Sequence, residues 1–385
     1  MKIIHLSDLH IGKRVNGFSM IEDQRYILNQ ILEITKAEKP DAVLIAGDVY
    51  DKPQSSGEAV TVFDTFLTGL SKVRNSAGRR TQIMIISGNH DSGERLSFGQ
   101  EIFREEGITI RGAYDGSLRT VSLEDEFGPV VFTLLPFIKP ANVRAAFPEE
   151  AVDDYTEAVK KALDTVERKE GERRVLVAHQ FITGGMTSES EEYSVGGLDN
   201  VDVSVFDDFD YVGLGHLHGP QKIGRETVRY AGSPLKYSFS EVNQRKSVTV
   251  VRLGEKGEAD INLIPLVPLR DMREIEGTYD CLMGPEARTG GKTDDYIRAV
   301  LTDEETIPYV MGRLRSVYPN IMEVSYKNKR TEDGKHAGPG EIKNLKESPL
   351  DVFCEFYREQ NNCEMDGGKI EYIKSLIEEI WEGEK

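Results

Sequence analysis

The sequence predicts an α/β protein of more than one domain, on three observations. Apolar runs of strand length alternate with amphipathic helical stretches through the first 250 residues or so, a pattern in which helices cover a sheet. Five of these apolar strands end directly in Asp, Asn or His. At 385 residues the chain exceeds one average domain, and its texture changes from about residue 253.

The first strand, residues 2–6, runs into Ser7-Asp8-Leu9-His10. Asp8 and His10 stand two apart, so an extended backbone points both to one side, and a carboxylate beside an imidazole suits a divalent ion of the Mn or Zn kind. His5, inside the strand, reads as a packed core histidine. Residues 20–38 read as a helix with Ile27, Ile31, Leu32 and Ile34 on its apolar stripe. The strand Ala42–Ala46 then leads to Gly47-Asp48-Val49-Tyr50-Asp51, where Gly47 allows the tight turn that brings Asp48 to the same sheet end as Asp8. A helix over 57–73 follows, then the strand 83–86, which delivers Ser87-Gly88-Asn89-His90-Asp91. A third helix is expected over 94–106, with Leu96, Phe98, Ile102 and Phe103 as its stripe.

Farther on, 130–135 is a buried strand, 151–168 a helix, and 175–178 a strand ending in His179-Gln180. The acidic run Ser188–Glu192 reads as a solvated loop rather than a lid. Strand 211–214 delivers Gly215-His216-Leu217-His218, which repeats the spacing of Asp8 and His10. Two resemblances to nucleotide motifs fail. Gly213 and Gly215 would need a third glycine where His218 stands, and Gly290-Gly291-Lys292-Thr293 would need a glycine where Glu286 stands.

Beyond Pro265 and Pro268 the alternation at 296–301, a helix carrying Ile307, Val310, Met311, Leu314 and Val317, and a strand at 321–326 describe a small β-α-β domain. Its end carries Lys327, Lys329 and Arg330, read as a solvated strand end in preference to a DNA contact. Two amphipathic helices close the chain, with stripes at Leu350, Phe353, Phe356, Tyr357 and at Ile370, Ile373, Leu376, Ile377, Ile380, Trp381. They either fold back on their own domain or dock a partner.

Composition bounds the function. Three cysteines at 281, 354 and 363 show no zinc spacing. No apolar run reaches the ~20 residues of a membrane span, and the N-terminus shows no signal-peptide pattern. A reduced cytoplasmic protein is expected, with no membrane partner. The net charge of −18 speaks against bulk attraction to nucleic acid, although bound cations supply a local positive field.

Together, Asp8, His10, Asp48, Asn89, His179, His216 and His218 gather at strand ends, where open α/β sheets collect ligands. Crowded buried carboxylates and imidazoles need a neutralising cation. Seven groups exceed one ion and fit two that share a carboxylate, most naturally Asp48. Two ions ~3.5–4 Å apart clamp both the attacking and the leaving oxygen of a phosphoryl displacement.

In this order, D-x-H, G-D-x-x-D, G-N-H-D, a lone His after a strand and G-H-x-H resemble the calcineurin-like metallophosphoesterases. Tyr193–Gly197, Gly232–Ser238 and Pro268-Leu269-Arg270 extend the resemblance to the SbcD type of nuclease subunit over nearly the whole chain. The resemblance implies a β-sandwich flanked by helices over residues 1–265, a small α+β capping, DNA-binding domain at 266–335, a linker at 336–345 and partner-binding helices at 346–385. It implies one ion on Asp8, His10, Asp48 and His218 and another on Asp48, Asn89, His179 and His216, with Mn²⁺ preferred and Mg²⁺ possible. His90 is then catalytic, with Asp91 placed to orient its ring. Some relatives carry His where this chain has Asp51.

The same resemblance implies a DNA nuclease, 3′→5′ exonucleolytic on double-stranded ends and endonucleolytic on hairpins and single strands. It implies that an ATPase subunit resembling SbcC binds the C-terminal helices, and that a homodimer forms through 57–73 and 94–106, at Val60, Phe63, Phe98 and Ile102. Two rival readings are a phosphatase or small-molecule phosphodiesterase on the same scaffold, and a non-catalytic subunit.

Overall fold

The computed structural model describes residues 1–191, 199–285, 292–328, 350, 353–354, 356–358 and 364–382. The motif at 193–197, Lys329 and Arg330, the decoy glycines 290 and 291, the linker at 336–345, Cys363 and the side chains of Ile380 and Trp381 lie outside the described residues. Contacts divide the chain into two compact units, Met1–Met272 and Arg273–Lys385.

In the first unit, apolar runs pair into two six-stranded sheets. One orders Ala259–Pro265, Ser247–Leu253, Lys2–Leu6, Ala42–Ala46, Gln82–Ile86 and Ile108–Arg111. The last four run parallel. The other orders Gln221–Ile223, Arg225–Tyr230, Tyr211–Gly215, Arg173–His179, Gly128–Leu135 and Arg119–Asp125. The parallel strands are buried on both faces, so they read as unbroken Val/Ile/Leu runs.

Between the sheets lie Ile3, Leu44, Met84, Ile86, Phe132, Val175, Val177, Tyr211 and Val251, all buried. On the outer face of the second sheet, Leu176 and Val212 cluster with Val159 and Leu163 of the helix Tyr155–Asp164 and with Phe206, all buried. This is the expected helix-flanked sandwich. His5 is fully buried, as expected, and its Nδ1 lies 2.9 Å from the Tyr211 hydroxyl.

Register decides where the polar ends fall. Leu6 lies beside Ile45 and Ala46 beside Ile86, while His179 lies beside Gly215. The motifs after these strands therefore emerge at one edge of the sandwich. His179 Nδ1–H donates across it to the Ala46 carbonyl at 2.8 Å.

The helices Ile21–Glu38 and Gly57–Ser71 match their expected ranges closely. The expected helix over 94–106 is instead two short pieces, Gly93–Leu96 and Gln100–Glu105, divided where Gly99 turns left-handed at φ 73°. A continuous 3.6-residue stripe does not register such a local break. Phe98 and Ile102 are exposed and Val60 is half-exposed, but Phe63 is buried and belongs to the core.

The second unit has strands Met272–Gly277, Tyr296–Leu301 and Ile321–Tyr326, the last two parallel. Its core is Leu282, Ile297, Ala299, Leu301, Leu314, Tyr318 and Ile321, which is the expected β-α-β arrangement with one further strand. Among the described residues no helix is long and apolar enough to cross a membrane.

Candidate metal centre

Asp8 and His10 share one side of the chain, but not through extended backbone. Both are left-handed, with φ of 53° and 43°, and Asp48 and His216 also have positive φ at 50° and 107°. Non-glycine residues held this way cost of order 1–3 kcal/mol each, and four of them meet at one edge of the fold. Backbone bonds hold the turns open: Asp8 N–H donates to Gly47 O at 3.1 Å and His10 N–H to Asp48 O at 2.9 Å.

Two glycines are sterically required. Gly47 has φ 83°, and a Cβ there would stand 2.3 Å from His179 Nδ1. A Cβ on Gly88 would stand 2.1 Å from Asp48 Oδ1.

The seven candidate ligands come together. Asp8, His10 and His218 offer ligand atoms within 4.8 Å of one another, as do Asp8, Asp48 and His179, and His10, Asp48 and His90. Asp48 Oδ2 lies 3.5 Å from His10 Nε2 and 3.4 Å from His179 Nε2, between the two groups. Asn89 Oδ1 lies 3.0 Å from both His179 Nε2 and His216 Nδ1.

The donor set fits divalent cations. His179 spends its Nδ1–H on Ala46, so a neutral ring aims a bare Nε2 at the oxygens of Asn89 and Asp48. His218 Nδ1 contacts Ser190 Oγ at 2.6 Å, and that hydroxyl donates to Glu241. His218 therefore donates through Nδ1 and presents a bare Nε2 only 3.0 Å from His10 Nε2. Asp8 Oδ2 and His216 Nε2 are buried with no hydrogen-bond partner among the described residues. A cation would satisfy Asp8 Oδ2, while His216 turns its other nitrogen, Nδ1, to the Asn89 oxygen.

The charges show the same need. Burial outweighs every nearby carboxylate at His10 and His216 and brings both imidazoles down to a pKa of about 3. Burial pushes the Asp8 carboxyl up to about 7, with Asp48 adding to the rise. Burial opposes ionisation of His179, but the Asp48 carboxylate outweighs it and holds the ring up at about 9. Asp48 in turn lies well below the usual carboxylate range: the histidines around it, His179 foremost, override burial. A proton on His179 and a divalent ion therefore compete for the same place beside Asp48.

Ion binding at pH 7 is therefore expected to displace the His179 proton and part of the Asp8 proton, roughly one to two in all. Affinity should rise with pH from below 7 towards 9, as each proton becomes easier to displace. Calorimetric titration with Mn²⁺ in two buffers of different ionisation heat reads the number directly. No proton release at pH 7 would contradict this electrostatic account.

The roles expected around His90 change. Asp91 does not orient the His90 ring: its carboxylate accepts backbone N–H bonds from Val49, Tyr50 and Gly88 at 3.1, 2.9 and 3.0 Å. It ties the Asp48 turn to the Asn89 turn. The His90 ring is held by Asp51, whose backbone carbonyl accepts from Nδ1 at 3.0 Å. The Asp51 carboxylate meanwhile faces His10 Nδ1 at 3.6 Å and accepts from Lys13 Nζ at 2.8 Å.

The acidic run also departs from expectation. Ser188 and Glu191 are buried, and Glu191 accepts the backbone N–H of His218 and that of Ser188. Buried Lys246 donates to Glu241 at 2.6 Å and to the His218 carbonyl at 2.9 Å. This network fixes the His218 ring from behind, as partners of metal-bound histidines do. A lone S-x-x-E carries no sign of it, because its partners lie far along the chain.

The calcineurin-like phosphoesterase family model matches residues 1–220, and a model described as the type 5 capsule protein repressor C-terminal domain matches residues 268–361. A curated relative from Staphylococcus epidermidis, the SbcD subunit of the SbcCD nuclease, is 33% identical over 383 residues, covering 98% of this chain and 99% of its own. A solved dimetal phosphatase from Danio rerio aligns with 69% of this chain and 99% of its own, at 10% identity and a TM-score of 0.37. The chain belongs to the calcineurin-like phosphoesterases and, within them, to the SbcD family.

Proposed function

We propose that this chain is the nuclease subunit of an SbcCD-type complex and hydrolyses DNA phosphodiesters with two divalent ions, Mn²⁺ by preference. The observation that carries the reading is the position of Asp48 Oδ2, midway between His10 and His179 at 3.5 and 3.4 Å. One carboxylate there serves both an Asp8–His10–His218 group and an Asn89–His179–His216 group. The ions, when bound, polarise the phosphate and make water nucleophilic at neutral pH.

The chain's own residues position and move protons. Asp48 Oδ1 accepts the His90 backbone N–H at 2.9 Å, which fixes that residue beside the bridge. With Nδ1 committed to the Asp51 carbonyl, Nε2 is the nitrogen left to hold a proton and give it to the departing oxygen. His90 rests edge-on to His10 at 4.8 Å between ring centroids, so its plane is held on a second side.

The finer reading follows the family: 3′→5′ cutting of double-stranded ends, endonucleolytic cutting of hairpins and single strands, and gating by a separate SbcC-like ATPase. Residues 266–335 serve as the DNA-facing capping domain and 346–385 as the ATPase-binding segment. A homodimer uses Val60, Phe98 and Ile102.

Cleavage of a DNA hairpin against hydrolysis of a small aryl phosphate, each with Mn²⁺ added or chelated, tests the reading. Mn²⁺-dependent hairpin cutting is expected, with loss on chelation. Hydrolysis of the aryl phosphate alone would favour a phosphatase instead.

A further inference from the structure

The turn that presents Asp8 and His10 is bent left-handed at Asp8, His10 and Gly12, with φ of 53°, 43° and 94°. Such a turn persists only where its surroundings hold it. Two buried side chains do so. Gln24, near the start of the helix Ile21–Glu38, donates from Nε2 to the His10 carbonyl at 2.7 Å and accepts the Gly12 N–H on Oε1 at 2.9 Å. The Tyr237 hydroxyl donates to the Leu9 carbonyl at 2.6 Å and accepts from Gln24 Nε2 at 3.1 Å. The Tyr237 ring also lies edge-on to the rings of His10 and His218, at 5.8 and 5.9 Å between centroids. The two side chains form one latch over residues 9–12, bonded to each other as well as to the turn.

Each latch residue has a chain neighbour tied to the same short strap. Asp23, beside Gln24, is fully buried and pairs with Arg270 Nη1 at 2.7 Å, and Glu22 pairs with the other terminal nitrogen of that guanidinium at 2.5 Å. A buried carboxylate needs such a partner, so the start of the helix is fastened to the strap. Lys236, beside Tyr237, pairs with Asp271 at 2.9 Å and donates to the Met272 carbonyl at 3.3 Å. Farther back, Val267 N–H donates to Gln30 Oε1 at 2.8 Å, which lays the strap along the same helix. Pro268-Leu269-Arg270, to which neither ion binding nor proton transfer assigns a task, lies within it. Directly after Met272 the chain enters the second unit.

We propose that Gln24 and Tyr237 are positioning residues for the ion held by Asp8, His10 and His218, and that Arg270 and Asp271 tune them through the strap. The inference rests on the two-ion reading and deepens it. Among the described residues neither Gln24 nor Tyr237 bonds to Asn89, His179 or His216, so the effect falls on one ion of the two.

Calorimetric titration of the full chain with Mn²⁺ reads both affinities. Gln24→Met keeps the bulk and loses both bonds to the turn. One affinity is then expected to fall roughly ten- to a hundredfold, the usual cost of losing support behind a ligand, and the other to stay within about threefold. Tyr237→Phe keeps the ring, removes only the hydroxyl and should weaken the same ion. Gln24→Met added to His10→Ala should leave the remaining ion as it was, which identifies the ion affected. The double variant Asp23→Asn with Arg270→Gln exchanges the ion pair for a neutral one, and should weaken that ion by about threefold or more.

An equal loss at both ions would mark a general loosening of the fold and overturn the assignment, as would unchanged affinities in both Gln24→Met and Tyr237→Phe. An unchanged affinity in the double variant would overturn the part given to the strap. Fewer than two ions on the unaltered chain fails the two-ion reading itself, whereas two ions with no selective loss remove only the latch.

Discussion

Asp48→Asn is expected to lose both ions and to cut DNA at least about a thousandfold more slowly. The loss corresponds to the several kcal/mol that bound ions contribute to stabilising charge in such displacements, at about 1.4 kcal/mol per factor of ten. The substitution is close to isosteric, and Asn accepts a left-handed backbone as readily as Asp, so φ 50° at this position is not the source of the effect. An Asn oxygen can still accept the His90 backbone N–H that Asp48 Oδ1 takes now. What disappears is the negative charge between His10 and His179. Without it His179 loses the partner that holds its pKa at about 9, and the two groups of ligands lose their common member. Calorimetric titration with Mn²⁺ should show two sites in the unaltered chain and none of comparable affinity in the variant. Two intact sites with normal cleavage would remove Asp48 as the bridge.

His90→Asn should separate binding from chemistry. His90 belongs to a cluster with His10 and Asp48, but its Nδ1 is engaged with the Asp51 carbonyl, and neither ligand group needs it to be complete. Mn²⁺ and DNA affinity should therefore stay within about threefold, while hydrolysis falls by roughly 10² to 10⁴, the range for losing a positioned proton donor. The Asn amide can still donate to the Asp51 carbonyl, so the turn is kept. A filter-binding assay with a hairpin, followed by Mn²⁺-started cleavage of the same complex, reads both quantities. Normal cleavage by the variant would take His90 out of the chemistry. A matching loss of Mn²⁺ affinity would make it a ligand instead.

Much of the site was legible because its signals are local. An apolar run followed at once by Gly and a carboxylate or imidazole is a strand and its turn, and it can be recognised within about seven residues. Asp48, Asn89, His216 and His218 follow such a glycine, and Asp8, His10 and His179 sit at strand ends without one. The strands at 296–301 and 321–326 were legible for the same reason. The sequence also carries their convergence indirectly, since parallel strands with matched lengths put their ends at one edge.

Other features depend on partners far along the chain. The Asp51 carbonyl meets the His90 ring 39 residues later. Ser190 meets Glu241 51 residues later, so Ser188 and Glu191, in an acidic run that looks solvated, are buried as support for His218. Asp91, next to His90 in sequence, instead serves three backbone N–H groups, because a carboxylate goes where unsatisfied donors are and adjacency does not aim it.

By itself, then, the sequence determined the α/β alternation and the seven groups at its strand ends, since hydrophobic period and turn chemistry act over a few residues, while the two-layer sandwich came from the family resemblance. Only the tertiary structure decided which oxygen steadies which ring, that Phe63 faces the core while Phe98 and Ile102 face outward, and that four non-glycine residues at the centre are bent into positive φ. Those outcomes come from packing and from hydrogen bonds between distant segments, which no local pattern records.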